Sequence, residues 1–279
     1  MKFQNFLLIL FILFSLISCA EKKEKVSLIK EDILEMQMIE AYNEGLKEFN
    51  RGDIFFAVKK FNEVELLYPQ SIWAPRSTLM AAYAYYSKMY FDDAIFELKR
   101  FLDKYKNHPN TDYAYYLLAV CHYNQIVDEK KDLGQIIKAR EYFNFLIKNF
   151  PNTDFAEDAY FKLELIAEIL ASKELYLANY YLDREKWIPA MNRYKNIVNE
   201  YDTTIFIEEA LYRLVELNYK LGLIDEAKKY TALLGYNYQS SEWYERSYNI
   251  VNTNYKKTNI KKNLKKEKSL LKKFKDLLK

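Results

Sequence analysis

The 279-residue chain holds only 5 Gly and 5 Pro, about 4% together where an average protein carries roughly 12%. Turn-rich all-β folds, glycine-loop nucleotide folds and disordered linkers all need more of both. Cysteine and histidine are scarcer still, with two of each. That leaves little for a disulfide framework, a zinc site or a histidine-based catalytic cluster. His108 precedes Pro109 and His122 directly follows Cys121, so neither has the i, i+4 spacing that sets two metal ligands on one helix face. His108 reads as a residue that caps or packs at a turn. No phosphate loop, nucleophile elbow or distinctive carboxylate pair stands out, and among 39 acidic residues chance pairs are expected. The expectation is a non-catalytic protein that needs no metal and no cofactor.

What the chain has in quantity is apolar and aromatic. Half its residues are hydrophobic, with 26 Tyr, 18 Phe and 3 Trp, enough for a sizeable core in one or two domains. The N-terminus opens with Met1-Lys2, and Phe6 to Ile17 is apolar apart from Ser15. Such a run falls short of the roughly 20 residues of a membrane-spanning helix but suits a signal-peptide core. It ends in Leu16-Ile17-Ser18-Cys19, which resembles a bacterial lipoprotein signal. Residues 1–18 are therefore expected to be a signal peptide, Cys19 the lipidated residue and 19–30 a solvated tether. Several acyl chains give a firm anchor, since each buried methylene contributes about 0.8 kcal/mol. The resemblance also implies a sorting rule: Asp after the lipidated Cys favours the inner membrane, and Ala20 stands there instead, which favours the outer one. The other cysteine, Cys121, lies among Leu117, Leu118 and Val120 and reads as a small buried core residue.

The body repeats. Five segments set a bulky apolar residue three before an Ala and, in four of them, a large apolar residue four after it. They are Ile54/Ala57/Phe61, Phe91/Ala94/Leu98, Ile136/Ala139/Phe143, Trp187/Ala190/Tyr194 and Ile224/Ala227, where Thr231 replaces the large residue. Pro69, Pro109 and Pro151 follow as stop signals, and Gly52-Asp53 and Gly222 fall where a turn between paired helices is needed. This resembles the tetratricopeptide repeat, a helix–turn–helix unit in which a small residue lets two helices approach. The predicted fold class is all-α: a right-handed solenoid of about five tetratricopeptide-like helical hairpins over 31–250, with a basic helical tail at 251–279. The anchor alanines are 37, 45, 51 and 37 residues apart. The two long gaps mark an insertion at Tyr123 to Leu133 and a long first helix in the fourth repeat, Phe155 to about Asp183.

Stacked hairpins leave a concave face built from the first helix of each repeat. Counting back from the anchors, that face carries Phe49, Tyr83, Tyr86, Tyr116 and Tyr123. A tyrosine offers apolar area with a hydroxyl that stays hydrogen-bonded, which suits an extended peptide. The same spacing also suits rings that fill gaps between helices, and the sequence leaves both readings open. Charge is segregated: residues 256–279 hold eleven Lys against Glu267 and Asp276, a net +9, so the chain's +3 leaves −6 for residues 1–255. Ile260, Leu264, Leu271, Phe274 and Leu278 give that tail one apolar stripe, and a basic amphipathic helix suits anionic lipid or an acidic partner. Nucleic acid fits the charge but not an exported lipoprotein, and is not expected.

The order of these features, together with several particular stretches, resembles the BamD family, the lipoproteins of the outer-membrane β-barrel assembly machinery. The stretches are Tyr68-Pro69-Gln70-Ser71, Ala82-Tyr83-Ala84-Tyr85-Tyr86, His108-Pro109-Asn110-Thr111-Asp112-Tyr113, Phe150-Pro151-Asn152-Thr153, Ala178-Asn179-Tyr180-Tyr181 and Trp187-Ile188-Pro189-Ala190-Met191-Asn192-Arg193. They cover roughly residues 19–235. The resemblance implies a lipid-anchored protein on the periplasmic face of the outer membrane, with other lipoproteins of the complex as neighbours. It implies that C-terminal repeats bind the periplasmic domains of the barrel subunit BamA and that N-terminal repeats receive unfolded outer-membrane proteins. The family's Arg in a Trp-x₅-Arg stretch falls on Arg193, with Trp187 at its head, and a planar guanidinium can grip a carboxylate with two hydrogen bonds. The insertion near 125–134 and the tail beyond 240 depart from the family pattern. A periplasmic adaptor for cell-envelope or division proteins is the alternative reading.

Overall fold

The computed structural model describes residues 28–126 and 133–252, with side chains from residue 35 onward. The lipoprotein signal, Cys19 and the tail's apolar stripe lie outside the described residues. The described residues form helices and connecting turns only: α1 (Leu28–Arg51), α2 (Ile54–Leu67), α3 (Trp73–Ser87), α4 (Phe91–Lys104), α5 (Thr111–Asn124), α6 (Gly134–Asn149), α7 (Asp154–Leu182), α8 (Trp187–Glu200), α9 (Ile207–Lys220), α10 (Ile224–Asn237) and α11 (Glu242–Val251). None of them is long and apolar enough to cross a membrane. Contacts divide the chain into two compact units, Met1–Met80 and Ala81–Lys279.

Five hairpins account for α1 to α10, and one sequence register explains their packing. The anchors Ala57, Ala94, Ala139, Ala190 and Ala227 are all fully buried. In the α1–α2, α5–α6, α7–α8 and α9–α10 pairs, which pack directly, the anchor's methyl group lets the second helix press close to the first. Four residues on, Phe61, Leu98, Phe143 and Tyr194 are equally buried, and each such side chain contributes about 1.5–3 kcal/mol. Thr231 takes that place in the fifth hairpin and remains buried because its hydroxyl donates back to the Ala227 carbonyl at 2.9 Å. A second small-residue position falls twenty after each anchor, in the next first helix or in α11. There Ser77, Ala114, Ala159, Ala210 and Ser247 are all fully buried.

The turns follow the same register. Four hairpins close with the chain stepping through the left-handed region, at Gly52 (φ 89°), Met89 (φ 63°), Glu185 (φ 58°) and Gly222 (φ 76°). In each, the next residue's N–H reaches back five residues, Asp53 to Glu48, Tyr90 to Tyr85, Lys186 to Tyr181 and Leu223 to Asn218, at 2.8–3.1 Å. This Schellman closure satisfies carbonyls the helix end leaves open. The two glycines stand where the sequence placed turns; Met89 and Glu185 carry no turn signature. The exception is α5–α6, where the insertion lies. Between hairpins, an aromatic residue caps each second helix: the N–H groups of Tyr68, Tyr105, Phe150, Tyr201 and Tyr238 each donate to a carbonyl four residues back. Pro69, Pro109 and Pro151 follow in the turns.

In the first unit, α1 packs along α2. Tyr42 sits between Phe61 and Trp73, with ring centroids 5.5 and 5.0 Å away, and the Tyr68 hydroxyl donates to Gln37 at 3.0 Å. In the second unit each helix from α4 to α10 packs on the next, and α11 closes the series against α9 and α10. One core cluster is built on Ile136, Phe143, Leu146, Ile166 and Leu170, another on Tyr194, Ile197, Leu214 and Leu217. The long α7 matches its expected extent, ending at the cap Asp183. Cys121 is a free, fully buried core thiol as expected, and burial pushes its pKa up to about 12.

Candidate functional site

Two places in the second unit gather the residues singled out by sequence. The first is a tyrosine layer on α3, α5 and α7. Tyr83 and Tyr86, on one side of α3, have ring centroids 6.2 Å apart. Tyr113 and Tyr116 on α5 both lie against Phe155 of α7, at 5.4 and 5.0 Å, the second stacked. Tyr116 and Tyr123 each meet Phe143 of α6 at 6.4 Å. The Tyr116 hydroxyl donates to Asp158 at 2.8 Å. Lys162, one turn on, lies 3.5 Å from the same carboxylate and 5.4 Å from the centre of the Tyr123 ring.

The layer is therefore mixed in character. Tyr86, Tyr116 and Tyr123 pack on the core cluster of α5–α7, while Tyr83 remains 37% exposed. Tyr86, Tyr113, Tyr116 and Tyr123 are each part-buried, so the layer both fills space between helices and keeps some ring area in reach of solvent. Burial raises the Tyr113 hydroxyl to about 12, with the neighbouring Tyr83 and Tyr86 hydroxyls adding to it. Burial, then the hydrogen bond to Asp158, raises Tyr116 further. The Tyr113 and Tyr116 hydroxyls are therefore neutral at physiological pH. Phe49 belongs to the first unit, on α1, partly buried one turn before Gly52, whose N–H donates to its carbonyl. Asp158 and Lys162 were not singled out from sequence, where their i, i+4 spacing was the only signal of them; Tyr113 was read there only as the end of the His108–Tyr113 stretch.

The second place is the α7–α8 hairpin. Trp187 opens α8 and packs on the core around Ala190, Met191 and Tyr194. The buried Tyr194 hydroxyl donates to Asn179 at 2.6 Å, and its pKa is raised chiefly by burial. Pro189, in the first turn of α8, removes an N–H that has no intrahelical partner there. Arg193, one and a half turns on from Trp187, is 37% exposed at its side chain. Its Nη1 donates to both carboxylate oxygens of Glu174 on α7, at 3.0 and 3.2 Å. Asn196 Nδ2 donates to the same carboxylate at 3.2 Å. Glu174 lies 19 residues before Arg193, and nothing in the sequence pairs them.

The two histidines have structural surroundings. His108 Nδ1 accepts from the Asn110 N–H at 3.2 Å, and its ring meets Phe101 edge-on at 5.5 Å, the turn-capping and packing role expected for it. His122 is buried, stacked on Tyr142 at 5.6 Å, with Nδ1 2.6 Å from Gln135 Oε1. Burial lowers its pKa, so the ring is neutral at physiological pH.

Comparison with known proteins decides the family. A family model described as "Outer membrane lipoprotein" (YfiO) matches residues 34–234. The outer membrane protein assembly factor BamD of Caulobacter vibrioides is 36% identical over 240 residues, which is 86% of this chain and 78% of that protein. The chain belongs to the BamD family of outer membrane protein assembly factors. Its relative from Rickettsia prowazekii is 36% identical over 210 residues, covering 75% of this chain and 84% of that one. The Neisseria gonorrhoeae protein is 33% identical over 189 residues, covering 64% and 70%. The family match spans both the tyrosine layer and the α7–α8 hairpin, and it ends before α11.

Proposed function

We propose that the chain is a non-catalytic lipoprotein of the β-barrel assembly complex, held on the periplasmic face of the outer membrane by an acylated Cys19. In this reading 1–18 is the signal peptide, 19–30 the tether, 31–250 the repeat body and 251–279 a tail that meets anionic lipid or an acidic partner. The body scaffolds the periplasmic domains of the barrel subunit BamA through Arg193 and Trp187, alongside other lipoproteins of the complex. The tyrosine side chains, with Phe49, receive unfolded outer-membrane proteins. The observation that carries the reading is the Arg193 guanidinium on a family-matched hairpin, bonded through Nη1 while more than a third of the side chain faces solvent. That is a geometry suited to a second carboxylate. The partial exposure of the tyrosine layer, greatest at Tyr83, supports the receptor role, since aromatic rings recognise extended chains with little loss of side-chain entropy.

The test is detergent co-purification of the tagged protein from its outer membrane, with Arg193→Glu and Cys19→Ser in parallel. The barrel subunit is expected with the native protein and depleted with Arg193→Glu, while Cys19→Ser leaves the membrane fraction. Equal recovery of the barrel with both arginine forms removes Arg193 from the interface. Recovery of cell-wall or division proteins without the barrel overturns the assembly role.

A further inference from the structure

We propose that Glu174 is a positioning residue for Arg193: it holds one end of the guanidinium so that the opposite edge, Nε and Nη2, meets a carboxylate of the protein partner. The inference rests on the reading of Arg193 as a partner contact. The Glu174 carboxylate is bound three times, twice by Arg193 Nη1 and once by Asn196 Nδ2. Its side chain is 16% exposed against 37% for Arg193. Arg193 and Asn196 stand three residues apart on α8 and so share a face, which closes on the acid from one side. Among the described residues, Nε and Nη2 of Arg193 make no hydrogen bond. These two N–H groups form the fork that takes a carboxylate by two parallel bonds.

The arrangement explains how a surface arginine contributes to binding. A free arginine loses several rotatable bonds' worth of freedom when a partner orders it, and that loss offsets much of the contact. Glu174 imposes the order beforehand. A carboxylate that merely competed for Arg193 would occupy the fork itself; Glu174 sits on Nη1 and leaves the fork clear. With Glu174 on one side and the partner's acid on the other, the guanidinium bridges two carboxylates.

The experiment is a titration of the full-length chain in detergent against a soluble fragment of the barrel subunit's periplasmic domains. Native protein is compared with Glu174→Ala, Glu174→Gln, Arg193→Ala and the Glu174→Ala/Arg193→Ala double variant. We expect Arg193→Ala to weaken binding about tenfold and Glu174→Ala about fivefold, with the double variant no weaker than Arg193→Ala alone. Glu174→Gln keeps an acceptor for Nη1 and restores most of the affinity. Should the alanine variant melt early, Glu174→Met replaces it, keeping volume without an acceptor. Additive losses in the double variant would reduce Glu174 to a packing role. Binding that is unchanged or tighter in Glu174→Ala, while Arg193→Ala weakens it, overturns the positioning role and leaves the contact standing. Unchanged binding in Arg193→Ala overturns the contact, and the positioning role with it.

Discussion

The ring of Phe61 lies against the α-carbon of Gly45: a β-carbon there would stand 2.7 Å from Cε1. The close approach of α1 to α2 depends on that missing methyl. In an open helix Gly→Ala gains about 1 kcal/mol, but Phe61 is fully buried and has nowhere to move. Gly45→Ala is therefore expected to destabilise the protein by about 1–3 kcal/mol, read as a lower thermal midpoint. Gly235→Ala meets Tyr244 at a similar 2.6 Å. The half-buried Tyr244 ring can swing outward, so its loss should be smaller.

Met89 and Glu185 occupy left-handed backbone at the same turn position as Gly52 and Gly222. Met89→Gly and Glu185→Gly should each stabilise by up to about 1 kcal/mol, since the strain of an L-residue there is about 1–2 kcal/mol and chain entropy takes back a part. Conversely, Gly52→Ala and Gly222→Ala should each cost about 1 kcal/mol. No atom within 4 Å would meet the added methyl at either glycine, so a loss there measures backbone strain alone. Urea midpoints of the four variants check both signs.

Ser77 and Ser247 stand where three other repeats bury alanine, and neither hydroxyl has a hydrogen-bond partner. Ser77→Ala and Ser247→Ala remove an unpartnered buried hydroxyl and raise helix propensity. Each should raise stability by about 1 kcal/mol. A fall in the unfolding midpoint would mean the hydroxyl is satisfied in solution.

The buried Cys121 thiol, with its pKa pushed up to about 12, should resist iodoacetamide at pH 8 in the folded protein and react in denaturant, since the thiolate is the nucleophile. Labelling followed by mass spectrometry distinguishes the two states. Fast labelling of the folded protein would place the α5 core open to solvent.

Much of the fold was legible because its strongest constraint is a spacing. A methyl-sized residue at 57, 94, 139, 190 and 227 is demanded by helix approach, and no other residue type with a side chain fits so closely. The left-handed turns at Met89 and Glu185 were not legible, because the closing geometry is imposed by the paired helices and these residues carry no preference for it. Arg193 was singled out by its motif, but the Glu174 it pairs with could not be. Their pairing is made by the packing of α7 on α8, and any of several acidic residues on α7 would have served a sequence reading equally well. The tyrosines were legible as a set, while their division between core and surface depends on which neighbours Phe143 and Phe155 cover.

His122 gives the pH prediction. Burial lowers its folded pKa, opposed by the Gln135 contact and assisted by Lys138 and Lys99. Below the unfolded value of about 6.5 the unfolded chain binds the extra proton and the folded one does not. Its contribution to stability is therefore complete above that value and is lost as pH falls below it, until the lower folded pKa is reached. His122→Phe should flatten the fall of the thermal midpoint between pH 7 and 5. An equally steep profile would place the dependence on the carboxylates.

The chain's three tryptophans are divided between its two compact units: Trp73 in the first, Trp187 and Trp243 in the second. That distribution is an optical label already in place. With Trp187 and Trp243 replaced by Phe, indole emission reports on residues 1–80 alone; with Trp73 replaced, it reports on the remainder. Melting curves from the two forms therefore show whether the units lose their structure together or one before the other, without any added dye.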